Sequence, residues 1–290
     1  MGAKSVLSGL VALGLLAGGG YALSRVLDER PAFPLTSQCE AAGETVVMLQ
    51  ADQMAHAATI SAVGLRRSVP ERAITVALAT ALQESKLRNL PGGDRDSVGL
   101  FQQRPSQGWG DPKQLQDPRY AARAFYRHLV KVRGWKRMRI TDAAQAVQKS
   151  AHPDAYQRWA DEAESLTAAL TGSVPGSLSC TLSGDAERRG ERAAAALGEA
   201  IKADWGEVDA VPPAEGHGVE LTVADDRSGW RLAHWLVAHA AQHGIREVRY
   251  GDRTWSAEDG SWKRVRGAEA GERGPATVIA QLSGDASAER

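Results

Sequence analysis

Two cysteines, Cys39 and Cys180, are all that 290 residues contain. So few exclude a disulfide-dense scaffold, and the fold must rest on a buried core. Hydrophobic residues, at 43%, are enough to build one, and the length suits two modest domains. An excess of charge of either sign is also missing. Lys plus Arg and Asp plus Glu both number 35, and the formal net charge is zero. Such a balance gives no global field to draw in nucleic acid, so none is expected as a partner. No apolar-small run precedes Cys39, which argues against a lipoprotein anchor at that thiol.

Charge is scarcest at the start. Lys4 is the only charged residue in 1–24, where Leu7, Leu10, Val11, Leu13, Leu15 and Leu16 dominate. A bilayer needs roughly 20 apolar residues to be spanned. Gly20-Tyr21-Ala22 would also serve a signal peptidase, being small-x-small. Gly18, Gly19 and Gly20 weaken a stable spanning helix. A retained anchor and a cleaved signal both put the rest outside the cytoplasm, tethered to the membrane or secreted. Residues 27–37, with Pro31 and Pro34, read as a tether.

The chain is organised around residues 77–106. Ala73, Ile74, Ala77, Leu78, Ala81 and Leu82 recur at helical spacing. Ser68 and Glu71 are spaced as a capping box at the start of that helix. Glu84 ends the apolar pattern, and Asn89, Pro91 and Gly92 follow as stops. An acid at the end of an apolar helix stands where a core meets a cleft. A carboxyl group that keeps its proton there can give it to a leaving oxygen, as glycosidic bond cleavage requires. Ser97 lies 13 residues beyond Glu84, and a polar loop closes with Gly99, Leu100, Phe101 and Gln102.

Glu84-Ser85 followed by Ser97-Val98-Gly99-Leu100-Phe101-Gln102 resembles the signature of the soluble lytic transglycosylases. The resemblance covers residues 40–172. It implies a lysozyme-like fold that cleaves peptidoglycan glycan strands, with Glu84 as acid and then base. That family places a Tyr-Asn-x-Gly motif on a later helix, whose Tyr orients the acid. Here Val147-Gln148-Lys149-Ser150 stands in its place. Gln148 would replace the Asn, and Tyr156 would supply the hydroxyl from a different point. Ser97, Gln102, Gln103, Gln148 and Tyr156 are therefore the candidate substrate-binding residues. Trp109 fits a sugar cleft and a core equally well. Goose-type lysozymes of similar fold place an acid in the matching loop, which would make Asp94 or Asp96 an assistant. Both flank Arg95, and turns collect Asp for local hydrogen bonds. Cys39 and Cys180 bracket this stretch; in an oxidising compartment they would pair, and otherwise they are free thiols.

Elsewhere the periodicity predicts helices over 41–65, 118–130, 141–148 and 154–170, with Trp159 and Leu166 inward. Residues 173–183 read as a linker and 187–203 as a charged helix. Strands are expected at 219–224 and 276–282, a helix at 229–243, and a hairpin around Gly251-Asp252. Through Trp235-Leu236-Val237-Ala238-His239-Ala240, Gly244-Ile245 and Arg253-Thr254-Trp255, this last region resembles a C-terminal domain of actinobacterial wall proteins, distantly like zinc D-Ala-D-Ala peptidases. His217, His234, His239 and His243 lie in it. Thr222 stands where that family has an acid, and its closing His-x-His is missing. His239 and His243 are four apart with no Glu between them, so no metal and no cofactor is expected.

The expected fold is mainly α. Residues 1–31 form a signal or anchor, 32–175 a lysozyme-like helical domain, 176–207 a linker and helix, and 208–290 a small α+β accessory domain. The expected activity is that of a lytic transglycosylase acting on peptidoglycan glycan strands. The alternatives are a muramidase, or a weakly catalytic glycan-binding partner of another cell-wall enzyme.

Overall fold

A computed structural model describes residues 37–184, 189–265 and 277–284. The hydrophobic N-terminal segment and its tether lie outside the described residues, as do Glu187 and Ala276. Among the described residues no helix is long and apolar enough to cross a membrane.

The protein is mixed α/β, not mainly α. Two antiparallel sheets account for the difference, one of three strands and one of six. The first sheet begins where a helix was expected. Gln38–Ala42 is β1 and Val46–Gln50 is β2, joined by a turn through Gly43. Cys39 and Ala41, then Val47 and Leu49, point inward at period two. Val46, which a helical reading buries, is 58% exposed. The helix α1 starts only at Ala51 and ends at Arg66. The presumed linker supplies the third strand, β3 (Leu178–Thr181). It pairs with β1 so that Cys39 and Cys180 face each other, and they are joined by a disulfide across 141 residues.

Between β2 and β3 runs a helical core. Glu71–Ser85 is α2, Pro118–Leu129 is α3, Ile140–Gln148 is α4 and Ala160–Leu170 is α5. Asp117 caps α3 by accepting from the Arg119 amide at 2.9 Å. The capping box expected at Ser68 does not form. Ser68 is left-handed, with φ at 54°, and Pro70 takes the cap position without a side-chain bond. From Ala73 to Leu82 every residue of α2 is buried. Small residues let α1, α3, α4 and α5 all pack against it.

The six-stranded sheet has the order β4-β5-β9-β6-β7-β8. Its strands are β4 (Ala210–Val211), β5 (Gly218–Thr222), β6 (Ile245–Tyr250), β7 (Arg253–Ser256), β8 (Trp262–Arg264) and β9 (Thr277–Leu282). Two helices accompany it, α6 (Gly190–Trp205) and α7 (Asp226–Ala238). The described residues form one compact unit. Gly172 ends the run after α5 with φ at 75°, and a Cβ there would meet Arg227 O at 2.2 Å. Only glycine allows α7 to come so close.

A buried polar knot joins α1, α3, α6 and α7. The Asp204 carboxylate is fully buried. Its Oδ2 accepts from Trp235 Nε1 at 2.8 Å and from Thr59 Oγ1 at 3.0 Å, and its Oδ1 lies 2.5 Å from Arg119 Nε. A charge without water must be answered in this way. His239 stacks on Trp235 with ring centroids 4.0 Å apart. His234 hydrogen-bonds Ala169 O through Nδ1 at 2.7 Å. Burial pushes both imidazoles down to about 4.

Two expectations follow from these groups. A histidine with a depressed folded pKa binds its proton more readily when unfolded, so acid favours the unfolded chain. Unfolding free energy should therefore fall between pH about 6.5 and about 4. Denaturant melts at both ends of that window, with His234→Asn flattening the slope, would check it. The second concerns the disulfide. Thiol labelling of unreduced, denatured protein should find none free, and losing the bridge should cost about 5 kcal/mol on the chain-entropy view.

Candidate functional site

The helix α2 emerges from the core at its last turn. Gln83 and Glu84 are half-buried after ten fully enclosed positions, 73–82. The helix then stops on two successive left-handed residues, Lys86 at φ 56° and Leu87 at φ 59°. Neither is glycine, so the turn is strained and must be held by its surroundings. Leu87 is buried and its amide donates to Ala81 O at 3.1 Å. From α1, the Gln53 amide donates to Lys86 O at 2.6 Å, and His56 Nδ1 meets Leu87 O at 2.8 Å. These bonds fix where the helix ends, and so where Glu84 stands.

The loop beyond is tied to the same helix end. Ser85 Oγ donates to Leu100 O at 2.7 Å. Val98 and Gln103 pair as a short antiparallel bridge. The Gly99 amide donates to Leu90 O at 2.8 Å. Gly99 has φ at 78°, and a Cβ there would strike Leu115 O at 2.4 Å. Phe101 stacks on Phe125 with centroids 4.9 Å apart, which anchors the loop to α3.

Two side chains converge on the Glu84 carboxylate. Tyr156 Oη donates to Oε1 at 2.7 Å, and Gln148 Nε2 donates to the same oxygen at 3.2 Å. The Gln148 amide also reaches Phe101 O at 2.7 Å, joining α4, the loop and the acid. Burial, and then the Glu84 charge, push the Tyr156 phenol well above the ordinary tyrosine range. It is therefore a steady donor at any working pH. Among the described residues nothing hydrogen-bonds Glu84 Oε2. Oε2 is the oxygen left open, because the lone pairs of Oε1 are already engaged.

The remaining candidates shape the loop. Gln103 is 2% exposed and gives its amide to Ala121 O at 3.2 Å. Gln102 is left-handed at φ 46° and closes its own turn onto Gly99 O at 3.1 Å. Ser97 is buried, its amide bonded to Asp94 O at 3.1 Å. Asp96 accepts from Arg104 Nε and from the Ser106 amide, each at 2.8 Å. Those bonds hold its carboxyl far below the usual carboxylate range. Asp94 is exposed, 4.0 Å from Arg95.

Beside Gln148 opens a cavity of about 450 Å³, walled by Gln107, Trp109, His128, Val147 and Lys149. Its volume suits a small ligand such as a sugar ring. Trp109 is 9% exposed and packs its ring on His128, with centroids 4.1 Å apart. It serves core and cavity wall together. Sequence reasoning missed His128 and Lys149. It also read Trp159 as inward. The indole is half-buried, with Nε1 donating to Gln83 Oε1 at 2.9 Å. Its spacing of three from Tyr156 was the available signal. His234 and His239 are committed to backbone oxygens. Among the described residues no group of three His, Cys, Asp or Glu is placed to hold a metal ion.

The phenol offers a direct check. Alkaline absorbance titration of the wild type, minus that of Tyr156→Phe, should isolate one phenol that ionises above the ordinary tyrosine range. Ionisation near the ordinary value of about 10 would contradict this environment.

No protein-family model matches the chain and no curated protein matches it, so the reading of this site rests on its own geometry.

Proposed function

We propose that the protein cleaves peptidoglycan glycan strands as a lytic transglycosylase, with Glu84 as the single acid and base. One observation carries the reading: two neutral donors, Tyr156 and Gln148, fill one oxygen of Glu84 and leave the other to the substrate. Oε2 gives its proton to the bridging oxygen as the glycosidic bond breaks. The carboxylate left behind then takes a proton from the 6-hydroxyl of the muramoyl residue, which attacks its own anomeric carbon. The product is an anhydro sugar, and no water is consumed. Tyr156 and Gln148 stabilise the carboxylate between the two transfers. The cavity beside Gln148 takes a neighbouring sugar.

A hydrolytic route needs a second carboxylate to hold water or trap the sugar. Asp96 is occupied by Arg104 and Ser106. Asp94 is exposed in the same loop. The substrate places the work outside the cytoplasm, in the compartment with which the Cys39–Cys180 disulfide is compatible. There the N-terminal hydrophobic segment would serve as anchor or signal, keeping the enzyme near its polymer and near other wall enzymes.

Glu84→Gln should lower glycan cleavage at least about a hundred-fold while glycan binding persists, since the amide has no proton to give. Asp94→Asn should retain most activity. Mass spectrometry of digested walls should show chains ending in anhydromuramic acid. Reducing ends, together with inactivity of Asp94→Asn, would identify a muramidase instead. Binding without any turnover by the wild type would identify a glycan-binding partner.

A further inference from the structure

Glu84 has a second flank that the proposed chemistry does not use. Gln83 precedes it, Lys86 follows it by two residues, and Trp159 follows Tyr156 by three. The Trp159 indole is fixed by its bond to Gln83. Lys86 Nζ lies 4.0 Å from the centre of that ring, and the guanidinium carbon of Arg158 lies 5.1 Å from it. Lys86 and Arg158 are both exposed residues.

Two cations thus share one aromatic ring. Among the described residues no Asp or Glu forms an ion pair with either. Burial, and then the charge of Arg158, hold the Lys86 ammonium below the usual lysine range. Lys86 Nζ also donates to Leu82 O at 3.2 Å, which explains a lysine at this helix end. It does not explain why Arg158 joins it. Like charges brought together without a counter-ion repel, and an anion arriving between them relieves that repulsion.

We propose that Lys86, Trp159 and Arg158 form a subsite for an anionic substituent of the glycan strand, a carboxylate borne on the lactyl group of the muramoyl residue at the scissile bond. The inference rests on the transglycosylase reading, which puts a muramoyl residue beside Glu84. The carboxylate has two sources. In a strand stripped of peptide it is the lactyl group's own. In an intact strand that group is amidated, and the charge comes from the peptide attached to it.

The test uses full-length Glu84→Gln, which keeps the cleft without turnover. Three probes are titrated: peptide-bearing glycan oligomers, the same oligomers after amidase treatment, and neutral N-acetylglucosamine oligomers. Lys86→Gln and Arg158→Gln should each weaken an anionic probe roughly five-fold at low salt, and leave the neutral probe within about two-fold. Lys86→Arg, which keeps the charge, should bind as the parent does. Weakening confined to the peptide-bearing probe assigns the carboxylate to the peptide, weakening confined to the amidase-treated probe assigns it to the lactyl group, and weakening on both shows that the subsite takes either carboxylate. Equal weakening on all three probes, or none, overturns the subsite. Cleavage is scored separately on the wild-type chain. Charge-dependent binding without cleavage tells against the transglycosylase reading alone, and cleavage without a charge effect tells against the subsite alone.

Discussion

The end of α2 is the constraint on which the site depends. A helix enclosed for ten residues must stop just as its carboxylate reaches solvent. One more turn would carry the chain past the cleft. Lys86 and Leu87 make the stop by adopting left-handed backbone, at a cost of order 1–3 kcal/mol each. Gln53 and His56 hold the strained carbonyls from α1, and the buried Leu87 side chain anchors the turn. Glycine would relax the strain but lose that anchor. Because this corner is rigid, Tyr156 and Gln148 can meet one carboxylate oxygen from two separate segments.

The same economy links the two ends of the compact unit. The first sheet needs β3, which arrives only after the helical core is complete, and the disulfide fixes that closure. The six-stranded sheet then leans on the helices through Asp204. Its charge is tolerable only because Trp235, Thr59 and Arg119 converge on it from three helices. Removing Arg119 would leave a buried charge without its counter-ion, a far larger loss than any exposed ion pair represents. Glu84 stands against it. Its donors are uncharged and it is half-buried.

What was legible in the sequence follows from the range of the interactions involved. The apolar repeat of α2 and the position of Glu84 are local patterns, and the helix spans Glu71–Ser85 with the acid one residue from its end. The Asp117-Pro118 helix start and the Gly251-Asp252 hairpin are local too, and each lies where turn and cap chemistry put it. The mainly-α expectation failed at residues 38–50 and 178–181, because strands of four or five residues show too few alternations to stand out. What makes 178–181 a strand is β1, some 140 residues away in sequence. The loop residues Gln102 and Gln103 carry ligand-binding side chains by type. Their amides close backbone bonds within the fold, a use decided by packing that composition cannot reveal.

Placement of charge separates the groups of this molecule that are answered within the fold from those that are not. Asp204 is buried and its charge is answered. Asp96 is answered by Arg104 and the Ser106 amide. On the face that carries Glu84 the pattern reverses. One carboxylate oxygen has no donor among the described residues, and two cations crowd an indole with no described acid beside them. Folding explains Lys86 through its bond to Leu82 O, but it gives no reason for Arg158 to join it beside Glu84. A ligand gives one, provided that it brings an oxygen able to accept a proton and an anion a short way along the same chain. Under the proposed function, a glycan strand with acidic substituents would bring both features, and a neutral polysaccharide only the first.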